Sequence, residues 1–340
     1  MTAKYRIAIV NSSSFGRIFP DHIKRLEAIG EVKRFVFDQN IPGRELAEAL
    51  HGFNIIVASV TPFFDQEFFQ YKDELLLISR HGIGYNNVDL TAAKAHGTIV
   101  AIVPALVERD AVAENNVTNL LSVMRCSQSA YQSVRMDQWE RRAKFVGHSL
   151  LNKRVGIIGI GNTGSAVAEI LRYGFRCEVT AYDPYKSQLY MDQFGVKKVD
   201  YETLLRQSDV ICLCANLTEE NYHMIDAQAL NLMKDGVYIS NSARGALVDQ
   251  EAMIESLQTG RVAGYATDVL EVEPGRSDHP LLAFDNVMIT PHTSAYTKEC
   301  VKAMGEKCVD DCEKIVKHQL PERAVQDESP HISIRQTVMI

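Results

Sequence analysis

The most constraining feature of this sequence is the stretch 153–168, which has the pattern of a buried strand, a glycine turn and the start of a helix. Val155, Ile157 and Ile158 form a short apolar run of the kind that a parallel strand buries on both faces. The turn then carries three glycines in the spacing G-x-G-x-x-G: Gly159, Gly161 and Gly164. In this context the first glycine permits the tight turn, the second lets the backbone approach a pyrophosphate, and the third lets the helix pack closely against the strand. The stretch therefore predicts a parallel α/β fold with a dinucleotide at the helix N-terminus.

An acidic residue closes the next predicted strand. Asp183 follows the strand 177–182 and lies about 20 residues after Gly164, where the dinucleotide fold carries its ribose-binding acid. A carboxylate there can accept both ribose hydroxyls and would repel a 2′-phosphate, which favours NAD. The alternative is that Asp183 is only a turn or N-cap residue before Pro184. That role would not account for the glycine turn that precedes it in the sequence.

Composition limits the class of protein. The chain has 340 residues, enough for two domains, with 46% apolar and 23% charged residues. A net charge of −7 without a basic cluster argues against nucleic acid or an anionic membrane as the main partner. No apolar run is long enough to span a bilayer, and the N-terminus lacks the apolar region of a signal peptide. The seven cysteines show neither disulfide nor zinc-site spacing, so we expect a cytoplasmic protein without a bound metal.

Strand-like and helix-like segments alternate along the chain in two runs. We expect strands at 5–10, 32–37, 54–59, 75–79, 98–103, 153–158, 177–182, 209–214, 236–240, 263–267 and 286–289. We expect helices near 20–29, 43–51, 65–72, 89–96, 163–173, 187–194, 201–207, 226–233, 249–259 and 296–318. Between the runs, 107–135 is predicted as one long helical region, since it has no glycine or proline. This order predicts two doubly wound parallel sheets with helices on both faces.

Three stretches that each follow a predicted strand carry candidate chemistry. They are Asn241-Ser242-Ala243-Arg244-Gly245, Asp268-Val269-Leu270-Glu271-Val272-Glu273-Pro274 and Thr290-Pro291-His292-Thr293-Ser294. Ligands bind at the carboxyl ends of strands in open parallel sheets. We therefore expect an arginine, a carboxylate and a histidine at the edge where the dinucleotide lies.

These side chains suit the reduction of a 2-oxo acid. Arg244 can fix a carboxylate and polarise a carbonyl, and a histidine such as His292 can exchange the hydroxyl proton. A carboxylate can hold that imidazole and favour its protonated form. Both Glu271 and Glu273 could be the partner, and the spacing leaves the choice open. Singly, each residue could be structural; together they favour catalysis.

The sequence resembles the D-2-hydroxyacid dehydrogenase family from the first strand to about residue 318. The resemblance is carried by the glycine turn, Asn241 to Asp249, Gly264 to Val269, Glu273-Pro274 and Thr290-Pro291-His292. It implies that Arg244 binds substrate, that Glu273 pairs with His292, and that His292 is the acid/base. It also implies that Asp268 contacts the nicotinamide amide and that backbone N–H groups within 80–84 bind the substrate carboxylate.

The family also implies the sets of binding residues. Those for NAD are Gly159, Gly161, Asn162, Thr163, Gly164, Asp183, Ala215, Asn216, Ala243 and Asp268. Those for substrate are His81, Gly82, Ile83 and Arg244.

The resemblance further implies two Rossmann-like domains with the active site in the cleft between them. Residues 1–105 with about 297–340 would form the substrate-binding domain, and 106–296 the NAD-binding domain. Family members are usually homodimers built through the long helical region and the nucleotide domain.

Several properties stay open at this stage. The side chain of the substrate acid should be selected by the loop 11–16, by residues near 60–62 and by Ala295 with Tyr296. The sequence of these segments does not identify that side chain. The physiological direction and the role of the tail 321–340 are equally open. The alternative function is an NAD(H)-sensing corepressor or scaffold on the same fold.

Overall fold

The computed structural model describes residues 5–325 and divides into two compact units. Among the described residues, one unit contains 5–108 together with 297–325, and the other contains Arg109–Tyr296. Most of the tail 321–340, whose role the sequence leaves open, lies outside the described residues.

Each unit is built on one sheet whose strands all run parallel. The first sheet has the order β2-β1-β3-β4-β5 and the second the order β12-β11-β10-β9-β6-β7-β8. The strands are β1 Arg6–Val10, β2 Glu31–Phe35, β3 Ile55–Ala58, β4 Leu77–Arg80, β5 Ile99–Ala101, β6 Arg154–Ile158, β7 Glu178–Tyr182, β8 Lys197–Lys198, β9 Val210–Leu213, β10 Val237–Asn241, β11 Val262–Thr267 and β12 Val287–Ile289. The predicted fold class, two doubly wound parallel sheets, is confirmed.

Helices separate nearly all successive strands. They are α1 Asp21–Glu27, α2 Gly43–Ala49, α3 Gln66–Tyr71, α4 Leu90–His96, α5 Ala105–Met124, α6 Ser127–Arg135, α7 Asn162–Glu169, α8 Gln188–Asp192, α9 Tyr201–Gln207, α10 Ala227–Leu232, α11 Gln250–Gln258 and α12 Lys298–Val316. Many begin at an Asp, Ser or Thr whose side chain accepts a first-turn N–H, as Asp249 does for α11 and Thr297 for α12. Each such cap stabilises its helix by about 1 kcal/mol. No helix within 5–325 is both long and apolar enough to cross a membrane.

The apolar strands are buried on both faces, as the sequence predicted. In β1, Ala8 and Val10 pack into one core with residues of α2, α3 and α4, while Ile7 and Ile9 pack into a second core with residues of α1 and α12. The chain's late helix α12 therefore completes the first unit. The same division holds in β9, whose residues alternate between the cores on the two faces of the second sheet.

One predicted element is wrong in detail. The long helix expected over 107–135 ends at Met124, and α6 begins after Cys126, whose φ is +52°. The carbonyl of Met124 accepts the N–H of His148 at 2.8 Å instead of continuing the helical ladder. No glycine or proline marks this break in the sequence. The interruption coincides instead with a contact made by a segment that returns from further along the chain. The two-residue edge strand β8 was also missed.

Candidate active site

The glycine turn after β6 has the close packing that its spacing predicts. Gly159 has a φ of +85°, and a Cβ there would lie 2.6 Å from the backbone of Ala215. A Cβ on Gly164 would overlap the carbonyl oxygen of Gly159, so helix α7 packs against the turn itself. A Cβ on Gly161 would meet no atom within 4 Å. The side of the turn at Gly161 is therefore open to a ligand that needs close backbone approach.

Helix α7 begins directly after Gly161 and offers its first-turn N–H groups. Asn162, Thr163 and Gly164 occupy this turn, which contains no acidic side chain. The first N–H groups of a helix have no intrahelical acceptor, and the helix dipole favours an anion there. These residues fit a pyrophosphate.

Asp183 is fixed beside the glycine turn. Its Oδ2 accepts the N–H of Ile160 at 3.0 Å, and its Oδ1 accepts the N–H of Tyr185 at 2.9 Å. The side chain thus combines the two interpretations of the sequence: it closes a turn after β7, and it lies against the loop that would bind the cofactor. Each carboxylate oxygen keeps a lone pair for a further donor.

The loops after β9 and β10 lie at the same sheet edge as the glycine turn. Ala215 packs on Gly159, and the carbonyl of Asn216 accepts the side chain of Asn221 at 2.7 Å. Ala243 donates its N–H to the side-chain oxygen of Asn241 at 3.0 Å. Asn241 also donates to the carbonyl of Arg244 at 2.9 Å, which fixes the backbone at this arginine.

The structure brings Glu273, and not Glu271, to the histidine. Glu273 Oε2 lies 2.8 Å from His292 Nδ1. Glu271 instead accepts from Tyr222 Oη at 2.7 Å and lies 3.0 Å from His223 Nε2. Because an ionised carboxylate only accepts, His292 Nδ1 carries a proton, and the atom that can exchange one is Nε2.

The charge of Glu273 is stabilised at this position. Burial raises the pKa of its carboxyl group, but the hydrogen bond and charge of His292, the N–H of Leu270 and the charge of Arg244 lower it more. The resulting pKa lies below the ordinary value. Glu273 therefore stays a carboxylate, which is the form that can hold an imidazolium.

Asp268 fixes the loop that carries His292. Its carboxylate accepts from Thr290 Oγ1 at 2.6 Å, Thr293 N–H at 2.9 Å and Ser294 N–H at 2.8 Å. Its backbone carbonyl accepts the N–H of His292 at 2.9 Å. His292 has a φ of +53°, a conformation that a side-chain-bearing residue adopts only when its surroundings impose it. The resemblance assigns Asp268 to the nicotinamide; the structure adds this second contact set.

Sequence reasoning missed three asparagines of α5 that contact these loops. Asn116 donates to Ser242 Oγ at 2.8 Å, and Asn119 donates to Thr290 Oγ1 at 2.9 Å. Asn115 accepts from Ser294 Oγ at 2.9 Å. The signal was present, because Asn is a poor helix former and Asn116 and Asn119 stand beside the apolar positions of the helix. A polar residue buried in a helix needs a partner, and here the partners are the loops that carry the candidate catalytic residues.

The other predicted substrate residues lie in the first unit, directly after β4. Arg80 is buried and donates to the carbonyl of Gly84 at 2.8 Å and to that of Ala58 at 2.6 Å. His81 packs edge-on against the ring of Phe15. The N–H of Ile83 donates to Glu108 Oε1 at 3.0 Å. The segment 80–84 is thus held in shape by both its cationic side chain and its backbone.

Comparison with known proteins places this arrangement in a family. The family model for the D-isomer specific 2-hydroxyacid dehydrogenase NAD binding domain matches residues 117–294. D-3-phosphoglycerate dehydrogenase of Archaeoglobus fulgidus is 37% identical over 273 residues, which are 80% of this chain and 51% of that protein. The chain therefore spans about half the length of that relative.

Two further proteins match over nearly their whole length. Glyoxylate reductase of Thermococcus litoralis is 31% identical over 312 residues, covering 90% of this chain and 93% of that protein. The crystal structure of D-lactate dehydrogenase from Aquifex aeolicus, complexed with NAD and lactic acid, superimposes with a TM-score of 0.79 at 27% identity, covering 92% and 95% of the two chains. The resemblance inferred from the motifs is confirmed. This chain belongs to the D-isomer specific 2-hydroxyacid dehydrogenase family and carries that family's NAD-binding domain.

Proposed function

We propose that the protein catalyses the NAD-dependent, reversible reduction of a 2-oxo acid to the D-2-hydroxy acid. The observation that carries this proposal is the His292–Glu273 pair, 2.8 Å apart, in the unit that also holds the glycine turn. A histidine whose Nδ1 is bound by a carboxylate has one nitrogen left for proton exchange, at an edge where parallel sheets bind ligands.

In the proposed reaction Arg244 binds the carboxylate of the oxo acid and polarises its carbonyl. NADH, when bound at the glycine turn, would supply the hydride for the carbonyl carbon. His292 donates the Nε2 proton to the carbonyl oxygen, so that the ketone becomes an alcohol and the imidazole becomes neutral. Glu273 stabilises the imidazolium before this transfer and keeps the ring oriented. The reverse direction uses the same groups, with His292 as base.

The residues around the glycine turn fit NAD. Gly161 is open to close approach, α7 offers N–H groups to phosphates, and Asp183 provides a carboxylate for the ribose hydroxyls. Asp183→Asn removes the charge and keeps an acceptor for the N–H of Ile160. We expect this variant to bind NADH at least about tenfold more weakly, the affinity equivalent of one charge-assisted hydrogen bond, and to lose its discrimination against NADPH. An unchanged ratio of the two affinities contradicts the ribose role.

We also assign roles to the units. The unit Arg109–Tyr296 is proposed as the NAD-binding domain, and the unit with Glu108 and the residues from Thr297 onward as the substrate-binding domain, through His81, Gly82 and Ile83. The named relatives act on or bind small acids, glyoxylate and lactic acid among them, which supports a small 2-oxo acid as substrate.

The deciding experiment measures NADH oxidation against a panel of 2-oxo acids: glyoxylate, pyruvate, hydroxypyruvate, 3-phosphohydroxypyruvate, oxaloacetate and 2-oxoglutarate. The proposal predicts turnover with at least one. Tight NADH binding without turnover on any acid favours the alternative, an NAD(H)-sensing corepressor or scaffold.

We further propose a cytoplasmic homodimer. Tyr131, Val134, Met136, Trp139 and Val146 are all exposed, and they lie on and just after α6, which the family resemblance places at a dimer interface. Such a concentration of exposed apolar side chains is typical of an association surface. Sedimentation equilibrium tests it: a monomer at micromolar concentration contradicts the proposal.

A further inference from the structure

The amide that the family resemblance assigns to the substrate carboxylate is bound by a carboxylate of this chain. Ile83 N–H donates to Glu108 Oε1 at 3.0 Å. The same oxygen lies 3.5 Å from the position that a Cβ on Gly82 would occupy. Glu108 belongs to the first turn of α5, so the backbone that carries it is ordered by the helix. The chain thus holds its own anion where a substrate anion is expected.

The surroundings of this amide favour an anion. The guanidinium of Arg80 is almost fully buried, and its Nη2 lies 3.5 Å from that same Cβ position on Gly82. Burial, together with the positive charge of Arg80 and of His22, lowers the pKa of His81 to about 3, so His81 is neutral and adds no charge. The segment 80–83 therefore combines a buried cation with a backbone N–H that already binds a carboxylate, and both features favour an anion.

Two carboxylates cannot use this site together. A backbone N–H has a single proton and makes one strong hydrogen bond. A substrate carboxylate at Ile83 would also lie within a few ångströms of Glu108 Oε1, and like charges at such a distance repel. Occupation by Glu108 and occupation by substrate are therefore alternatives.

We propose that Glu108 is a specificity-determining residue: its carboxylate takes the substrate's place at the Ile83 amide, and a 2-oxo acid binds by displacing it. This proposal rests on the proposed function, because it takes the acid as the competing anion. Glu108 then acts on binding and not on the chemical step. A weakly bound anion does not displace Glu108, whereas a more tightly bound acid does.

The kinetic test uses Glu108→Ala and Glu108→Gln, with Glu114→Ala as control. Glu114 is an exposed glutamate of the same helix, so its replacement removes an equal charge away from Ile83. We expect Glu108→Ala to lower the KM for the best 2-oxo acid about tenfold, the affinity equivalent of one charge-assisted hydrogen bond, with kcat within about threefold. Glu108→Gln keeps a hydrogen-bond acceptor without the charge, so its KM should lie between those of wild type and Glu108→Ala. A KM that is unchanged or raised in Glu108→Ala overturns the proposal.

A binding test separates this proposal from the proposed function. Oxamate, which resembles a 2-oxo acid but is not reduced, is titrated into the NADH complex of each variant by calorimetry. Tighter oxamate binding to Glu108→Ala than to wild type supports displacement even where no acid is turned over. Equal or weaker binding refutes displacement even where turnover is normal. Thermal unfolding of each variant establishes that the proteins compared are folded. If Glu108→Ala is not folded, the comparison is made with Glu108→Gln.

Discussion

Two histidines follow strand ends in this protein, and their surroundings are opposite. His292 follows β12, bonds Glu273 through Nδ1 and is partly exposed, while its backbone is fixed by Asp268. His81 directly follows β4, lies against Phe15 and the charge of Arg80, and its buried Nε2 has no hydrogen-bond partner within the described residues. The first is beside a negative charge and the second beside a positive one.

Position at a sheet edge does not by itself make a histidine an acid/base. Proton exchange near neutrality requires that both the imidazole and the imidazolium be accessible states. At His292 the carboxylate of Glu273 lies 2.8 Å from Nδ1. Burial and Arg80 exclude the charged state at His81, whose pKa is lowered to about 3.

The largest effect is expected from His292→Gln. Loss of a general acid/base lowers kcat by roughly 10²–10⁴-fold. Steady-state NADH oxidation with the best acid measures this, and His51→Gln, at an exposed histidine, is the control. A near-normal kcat in His292→Gln would contradict the acid/base role that is proposed for His292 and not for His81.

Glu273→Gln should make His292 more like His81 by removing its anionic partner. A hydrogen bond to a charged group contributes about 1.5–3 kcal/mol, so kcat should fall about 10- to 100-fold. The matched control is Glu271→Gln, two residues away, whose carboxylate contacts Tyr222 and His223 instead. Equal losses of kcat in the two variants would show that the pairing with His292 is not what matters.

Glu273 also predicts a pH dependence of stability. Folding lowers its pKa below 4.5, so its ion pair stabilises the folded state above that pH and is lost as the pH falls through the folded value. Urea unfolding between pH 5 and 3 should therefore show a smaller loss of stability in Glu273→Gln than in wild type.

His81→Phe tests the other side of the comparison. The folded pKa of about 3 lies below the ordinary 6.5, so the unfolded chain takes up a proton that the folded chain does not. The stability due to neutral His81 is complete above pH 6.5 and is lost as the pH falls towards 3. Between pH 6.5 and 5, wild type should lose about 1.7 kcal/mol more free energy of unfolding than His81→Phe, because the slope approaches about 1.4 kcal/mol per pH unit only below pH 6.5. Parallel pH curves for the two proteins would contradict the buried, neutral state.

The smallest effect is expected from Asn119→Ala. Asn119 touches Thr290, which in turn donates to Asp268, so the variant loosens the His292 loop without removing a reacting group. One hydrogen bond contributes about 1 kcal/mol, which corresponds to a kcat lower by about fivefold. Thr118→Ala, at an exposed position of the same helix, is the control. The apparent pKa in the pH profile of kcat should shift in Asn119→Ala and not in Thr118→Ala. Such a shift would show that Asn119 acts by positioning His292.

The sequence predicted the sheets and pointed to the candidate site residues because both depend on local patterns. Apolar runs define strands; Gly159 and Asp183 each follow one directly, and Arg244 lies in the loop after β10. What could not be predicted depends on contacts between distant segments. The choice of Glu273 over Glu271 is made by the path of the loop after β11, and the break at Cys126 by the return of His148. The contact of Glu108 with Ile83 joins residues 25 positions apart and has no local signature.

Gly245 limits how this protein can be re-engineered. A Cβ at this position would overlap the backbone of Leu270 and Glu271, so the loop with Arg244 and the loop with Glu273 touch backbone to backbone. A library that varies position 245 would mostly yield misassembled sites whatever the substrate sought. Diversity is better placed at Ala295, Tyr296 and Glu108, the positions proposed to influence the choice of substrate, and withheld from Gly245, so that the two loops stay in contact.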